Sequence, residues 1–116
     1  MHPNARVAHA WVEAFNAHDV PRLVALYAPH ARHVSPKLRA RGGDGAVVGH
    51  AALTEWWADA VKRLPTLRYE LSTVTADEQR VFIEYVRNVD GEPPMAVAEV
   101  FDVVDGQIVH SRVYHG

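Results

Sequence analysis

The pattern of apolar residues predicts an α+β fold in which three helices precede a four-stranded antiparallel sheet. Up to Leu64 the apolar residues recur every three or four positions, and after Pro65 they alternate. Turn chemistry separates the runs: Pro29, Pro65, Asp90-Gly91 and Asp105-Gly106 each stand where one periodic segment stops. The chain has 116 residues, 48 % hydrophobic and 22 % charged, which suits one domain over residues 1–116 with a modest core.

Asn4 is placed to cap a first helix, whose Val7, Trp11 and Phe15 fall on one face. That helix should fail around Asn16 to His18. Asp19 caps a short second helix with Pro21 in its first turn, where proline is tolerated; Leu23, Leu26 and Tyr27 give it an apolar face and Pro29 ends it. His33-Val34-Ser35-Pro36 reads as a short extended piece, with His33 and Ser35 on one face. Lys37 to Val48, with Arg41-Gly42-Gly43-Asp44-Gly45 inside it, is the longest stretch without a period. Loops of that length in small domains are often functional. It is not a phosphate loop, because no Gly-Lys-Ser/Thr follows.

Gly49 opens the third helix, in which Leu53, Trp56, Trp57, Ala60, Val61 and Leu64 keep helical spacing until Pro65. Four strands follow: Leu67 to Val74, Arg80 to Val89, Met95 to Val104 and Gln107 to His115.

Composition narrows the function classes. Net charge is −2, without the basic stripe of a nucleic-acid binder or the polybasic segment of a membrane-surface protein. Cysteine is absent, which excludes disulfides, thiolate nucleophiles and cysteine-based zinc sites and suits a reducing compartment. Met-His-Pro-Asn-Ala-Arg lacks the apolar region of a signal peptide, and no apolar run reaches the length of a membrane span. A cytoplasmic protein is expected.

Glu99 is the most informative residue. Met95, Val97, Phe101 and Val103 share its strand face, and all are apolar. A carboxyl there is either paired or kept neutral with a raised pKa. A loop from Asp90 to Pro94 would pair Val89 with Met95 and Tyr85 with Glu99, leaving Arg87 diagonally adjacent on the same face. A two-residue Asp90-Gly91 turn would put Arg87 on the other face. Pro93 and Pro94 cannot donate ladder hydrogen bonds, which favours the longer loop. If Arg87 pairs with Glu99, the carboxylate stays ionised; if it does not, burial raises the pKa and Glu99 can donate a proton.

His33 titrates near neutrality, so it is the second candidate for proton transfer, although an exposed loop histidine is an equal reading in a chain with eight. Ser35 has no Ser-His-Asp pattern around it and is read as a hydrogen-bonding group. His30 and His33 lack a third ligand at a recognisable spacing, so no metal is expected. Trp11, Phe15, Trp56 and Trp57 are candidate cavity walls as well as core residues. Ser111, Val113 and His115 share one face of the last strand, and His110, Arg112 and Tyr114 the other.

Taken in order, Ala14-Phe15-Asn16-Ala17-His18-Asp19 through Leu26-Tyr27-Ala28-Pro29-His30-Ala31, Gly49-His50-Ala51-Ala52-Leu53, and Phe101-Asp102-Val103-Val104-Asp105-Gly106-Gln107-Ile108 resemble the nuclear transport factor 2-like superfamily. That group includes SnoaL-like polyketide cyclases, ketosteroid isomerases and limonene epoxide hydrolases. The resemblance spans essentially the whole chain. It implies a cone: three helices packed on a curved antiparallel sheet around one deep, mostly apolar pocket, often with a homodimer formed by the sheet's outer face. The isomerase's protonated aspartate corresponds to Glu99, its catalytic aspartate to Ser35 and its oxyanion tyrosine to Trp11. Ketosteroid isomerisation by that route is therefore not expected. The epoxide-hydrolase pattern needs an aspartate two residues beyond Arg87, where Val89 stands.

The resemblance thus implies a pocket for a hydrophobic small molecule. In the enzyme reading, cofactor-free acid–base chemistry of isomerase, cyclase or hydrolase type uses Glu99 and His33 for proton transfer. Tyr85 and Arg87 orient or stabilise charge. Trp11, Phe15, Ser35, Trp56, Trp57, Phe101, Val113 and His115 contact the substrate. In the alternative, the chain is a non-catalytic ligand-binding or dimeric interaction module.

Overall fold

The computed structural model describes residues 2–39 and 45–115, without the side chains of Leu38, Arg39 and His115. The Arg41-Gly42-Gly43-Asp44 run singled out above lies outside the described residues. In chain order the elements are α1 (Ala5–Asn16), α2 (Val20–Val24), β1 (Tyr27–Val34), α3 (Pro36–Arg39), β2 (Ala46–Val48), α4 (His50–Arg63), β3 (Arg68–Ala76), β4 (Arg80–Asn88), β5 (Met95–Val104) and β6 (Gln107–His115). One sheet carries all six strands in the order β2-β1-β6-β5-β4-β3.

The C-terminal meander follows the alternation closely, and β5 and β6 have the bounds expected. The N-terminal half differs. The expected second helix is only five residues long, and Tyr27 and Pro29 belong to a strand instead. Strand β1 pairs in parallel with β6, whereas the other neighbours are antiparallel. Pro29 lies where the β1–β6 register shifts, between Tyr27 and Arg32, a position at which a missing N–H is tolerated. The expected loop after Ser35 contains the short α3 and β2. The sheet therefore has six strands rather than four, and β1 brings His33 and Ser35 into its inner face.

Local chemistry accounts for the helix ends. Asp19 Oδ1 accepts from the Arg22 amide at 3.2 Å and caps α2. Asn4 stands at the start of α1, but its side chain donates to Asp77 O at 3.0 Å and Glu78 O at 3.3 Å, tying the helix to the β3–β4 turn. Gly49 precedes α4 at φ +86°, a conformation that side chains rarely adopt. Lys62 and Arg63 lie in the last turn of α4, where positive charge complements the helix dipole.

The β4–β5 register corrects one expectation. Arg87 pairs with Met95, Tyr85 with Val97 and Ile83 with Glu99. The connection runs from Val89 to Pro94: the Glu92 amide donates to Val89 O at 3.0 Å around Gly91, at φ +85°, and pairing resumes only after the prolines. The shift is two residues, so every side chain keeps its expected face. Tyr85 is thus diagonal to Glu99 rather than opposite it.

Residues Val81, Ile83, Val97, Phe101, Val103 and Ile108 on the inner sheet face pack against Ala8, Trp11 and Phe15 of α1 and Leu53 and Trp57 of α4. Register irregularities at Leu71/Thr73 and Asp102/Val103 help bend the sheet over these helices. Among the described residues no helix is long and apolar enough to cross a membrane.

Candidate functional site

The curved sheet and the helices leave a cavity of about 160 Å³. Trp11 and Phe15 of α1 and Trp56, Trp57, Ala60 and Arg63 of α4 form one side. His33, Ser35 and Lys37 come from the β1–α3 corner. Tyr69, Tyr85, Arg87, Val97, Glu99 and Val113 come from the sheet, and Leu64 and Leu67 flank the α4–β3 turn. Ten of the expected site residues thus surround one space. Phe101 does not: it is fully buried, 5.4 Å from the Trp11 ring, behind the wall rather than on it. The His115 side chain lies outside the described residues.

Tyr69, Lys37 and Arg63 were not singled out from the sequence. Tyr69 stacks on Phe15 at 4.3 Å and Trp11 at 5.5 Å and lies 4.4 Å from the Tyr85 ring. Its alternation with Leu67 and Leu71 was the available signal. Lys37 opens the stretch without a period, and Arg63 ends α4 outside its apolar set, so neither pattern assigned them to the cavity.

Glu99 is 1 % exposed. Tyr85 Oη donates to its Oε1 at 2.9 Å, and Oε2 has no hydrogen-bond partner among the described residues. Burial pushes the carboxyl from its ordinary 4.5 up to about 8, partly opposed by the Tyr85 hydrogen bond. Tyr85 itself is held well above 10 by burial and by the Glu99 charge, so it keeps its proton. Since Tyr85 donates to Oε1, the acid proton of neutral Glu99 belongs on Oε2. A residue of the cavity wall thus carries a buried O–H donor without an acceptor among the described residues.

Arg87 is buried on the same face, but its NH1 pairs with Glu92 Oε1 at 2.9 Å. Glu92 lies in the β4–β5 connection, half-exposed. The expected Arg87–Glu99 pair does not form. The register places the two residues four positions apart along the ladder, and the loop carboxylate takes the guanidinium first.

His33 ends a buried polar chain. Trp11 Nε1 donates to Tyr27 Oη at 3.1 Å, Tyr27 Oη donates to Ser111 Oγ at 3.3 Å, and Ser111 Oγ lies 2.6 Å from His33 Nδ1. Indole is a donor only, which sets the direction of the chain. Ser111 Oγ accepts from Tyr27 and meets Nδ1, donating to it when the neutral ring carries its proton on Nε2 and accepting from it when the proton is on Nδ1. Burial, then the charge of His110, lowers the His33 pKa from 6.5 to about 4. The imidazole is neutral at pH 7.

Two outcomes follow for stability. The Glu99 contribution is complete below about pH 4.5 and lost as pH rises toward about 8, whereas the His33 contribution is complete above about 6.5 and lost as pH falls toward about 4. From these two groups stability is level between 4.5 and 6.5 and falls from 6.5 to 8 by about 1.4 kcal/mol per pH unit. In urea unfolding across this range, Glu99→Gln removes the alkaline fall; an unchanged slope contradicts the neutral carboxyl. Ser111→Ala strips Tyr27 and His33 of their shared partner, at a cost of about 1–3 kcal/mol. Nitrogen-15 NMR of His33 should show one tautomer, held by Ser111, in the wild type and a mixture of tautomers in the variant.

None of the curated proteins compared matches the chain. Solved structures do. A SnoaL-like protein from Burkholderia thailandensis E264 has a TM-score of 0.88 at 23 % identity, covering 100 % of this chain and 98 % of its own. A protein with a ketosteroid isomerase-like fold from Catenulispora acidiphila DSM 44928, in complex with trimethylamine, has a TM-score of 0.80 at 18 % identity, covering 98 % and 86 %. TerC, co-crystallised with polyporic acid, has a TM-score of 0.85 at 20 % identity, covering 99 % and 92 %. At such identities the likeness establishes the nuclear transport factor 2-like fold and leaves the chemistry to the site. The sequence profile of the SnoaL-like domain matches residues 8–111, nearly the whole chain, and the protein belongs to the SnoaL-like domain family.

Proposed function

We propose that this protein is a small-molecule enzyme that performs cofactor-free acid catalysis of isomerase, cyclase or hydrolase type on a hydrophobic, carbonyl-bearing substrate. The observation that carries the reading is Glu99: a buried carboxyl on the wall of an aromatic cavity, neutral below about pH 8, whose Oε2 has no hydrogen-bond partner among the described residues. Such a group is costly to fold and useful only when a ligand accepts its hydrogen bond. Glu99 Oε2–H donates to the substrate oxygen, and Tyr85 fixes which carboxyl oxygen carries the proton. His33, held neutral, stands on the same wall. A neutral imidazole can polarise a carbonyl without changing charge. Trp11, Phe15, Trp56 and Trp57 form apolar walls suited to a ring system. The polyporic-acid complex of TerC and the trimethylamine complex of the isomerase-like protein support a small-molecule role for the cavity.

Polarising a carbonyl acidifies its α-carbon, and solvent accepts the proton that leaves. The test is deuterium exchange at the α-carbon of a panel of cyclic ketones and enolisable aromatics, followed by NMR. Glu99→Gln should slow protein-dependent exchange by about 10²–10⁴-fold, the usual share of a positioned acid. Equal exchange by the variant removes Glu99 from the mechanism. Ligand binding without any exchange favours the non-catalytic reading.

We infer further that the protein is cytoplasmic and homodimeric. The absence of cysteine supports a reducing compartment. Phe82 and Tyr114, 40 % and 53 % exposed, stand on the outer face of the sheet with half-buried Ala98 and Val100 between them and Val86 one row beyond. Asp102, Arg112 and Arg80 form an ion-pair cluster beside this strip. A second copy laid on that face would bury the strip. Sedimentation equilibrium should give twice the chain mass, and Phe82→Asp with Tyr114→Asp should give one; a wild-type monomer at high micromolar concentration sinks the dimer.

A further inference from the structure

The polar groups around the cavity are unequal in kind. Lys37, Arg63 and Arg87 all line it, and Glu99 is the one carboxyl that does so among the described residues. Arg63 is neutralised by Asp59 at 2.8 Å and Arg87 by Glu92 at 2.9 Å, and neither carboxylate lines the cavity. Lys37 makes no ion pair among the described residues. Among the described residues the wall therefore holds one unbalanced positive charge, with two guanidinium groups whose countercharges sit outside.

Hydrogen-bonding capacity is skewed the same way. Lysine and arginine are donors only. Glu99 offers an O–H from Oε2, by the geometry described above. Tyr85 has committed its proton to Glu99. A neutral ligand rich in donors would leave groups on both sides unpaired. A cation would find aromatic faces, but also Lys37 and Arg87 and no ionised carboxylate. An anionic oxygen satisfies the donors and the excess charge together.

Size adds a limit. An apolar cavity of about 150 Å³ takes a benzene ring. The cavity of about 160 Å³ here suits one ring or a compact pair of rings with a polar head.

Given that the cavity is a small-molecule site, we propose that its ligand is an aromatic or alicyclic ring carrying a carboxylate or enolate, with the anion turned toward Lys37 and Arg87. The ring lies among Trp11, Trp56 and Trp57. This assigns a substrate class to the site and gives Lys37 a role in selecting it.

Isothermal titration of the whole chain with 2-naphthoate, 2-naphthamide and 2-naphthylmethylammonium tests the proposal, because the three probes share a ring and differ in charge. The carboxylate should bind about tenfold tighter than the amide, the strength of one charge-assisted hydrogen bond. The ammonium should bind weakest. The ratio of carboxylate to amide affinity should shrink as salt is raised, and Lys37→Glu should bring it to unity. Lys37 is exposed on its element, so the variant should keep its circular dichroism and melting transition. A ratio of one in the wild type, tighter binding of the ammonium, no binding of the carboxylate, or an undiminished ratio in Lys37→Glu each overturns the proposal. Amide binding without charge preference would defeat the anionic class and leave acid catalysis by Glu99 standing. Loss of α-carbon exchange would defeat the catalysis and leave the affinity ratio to be read.

Discussion

The hydrogen bond from Tyr85 to Glu99 Oε1 decides the chemistry of this molecule. A carboxyl 1 % exposed on an apolar strand face has three options: a counter-ion, a full set of donors, or a proton of its own. One donor reaches it, from a phenol that cannot itself ionise in this environment. A single neutral donor does not offset the desolvation of a negative charge. Glu99 therefore keeps its proton, and the same bond directs that proton to the oxygen without a partner among the described residues. The aromatic cluster of Trp11, Phe15, Tyr69 and Tyr85 holds the phenol in place through ring contacts of 4.3 to 5.7 Å. Stability alone would favour leucine at position 99, so the carboxyl is best understood as a group maintained for what it offers the cavity.

Two residues of strand register separate this chemistry from its opposite. Had Val89 paired with Met95, Arg87 would have stood within reach of Glu99, and the carboxylate would have been ionised, salt-bridged and inert as an acid. With Arg87 opposite Met95, the guanidinium meets Glu92 instead. The turn that sets this register, with Gly91 at positive φ and Pro93-Pro94 after it, lies away from the aromatic walls yet controls the charge state at the cavity floor. Because the displacement is even, both registers bury the same apolar residues. Core packing alone does not choose between them; the turn does.

That degeneracy explains what was legible in the sequence. Faces were readable: period-two alternation assigned Tyr85, Arg87, Val97 and Glu99 to one side of the sheet, and helical spacing assigned Trp11, Phe15, Trp56 and Trp57 to the other wall. The bounds of β5 and β6 followed from Pro94 and Asp105-Gly106. Partners were not readable. The identity of the residue that meets Arg87 depends on a loop conformation that period-two patterning leaves open. Strand β1 was hidden for a related reason. Its partner β6 is about 80 residues away, and a proline near its start imitates a helix stop. Local propensity favoured a longer second helix, and long-range pairing overrode it. Tyr69 was visible in its alternation, but alternation does not tell a cavity wall from a packed core.

The buried chain from Trp11 to His33 shows how the same fold handles polar groups that do have partners. Trp11 comes from α1, Tyr27 and His33 from β1 and Ser111 from β6, and each satisfies the next. The donor-only indole orients the series, and a fully connected buried network stiffens what it joins. Here it joins the first helix to the first and last strands, the parallel pairing least anticipated from sequence. Glu99 lies outside this network although its strand neighbours Ser111's. The protein therefore contains two kinds of buried polarity side by side, one linked from group to group and one with an oxygen unpaired among the described residues. The linked network positions His33 and Trp11 as walls, and the carboxyl supplies the donor. A substitution that closed the second, by giving Oε2 an acceptor within the protein, would stabilise the fold and remove the feature on which its chemistry rests.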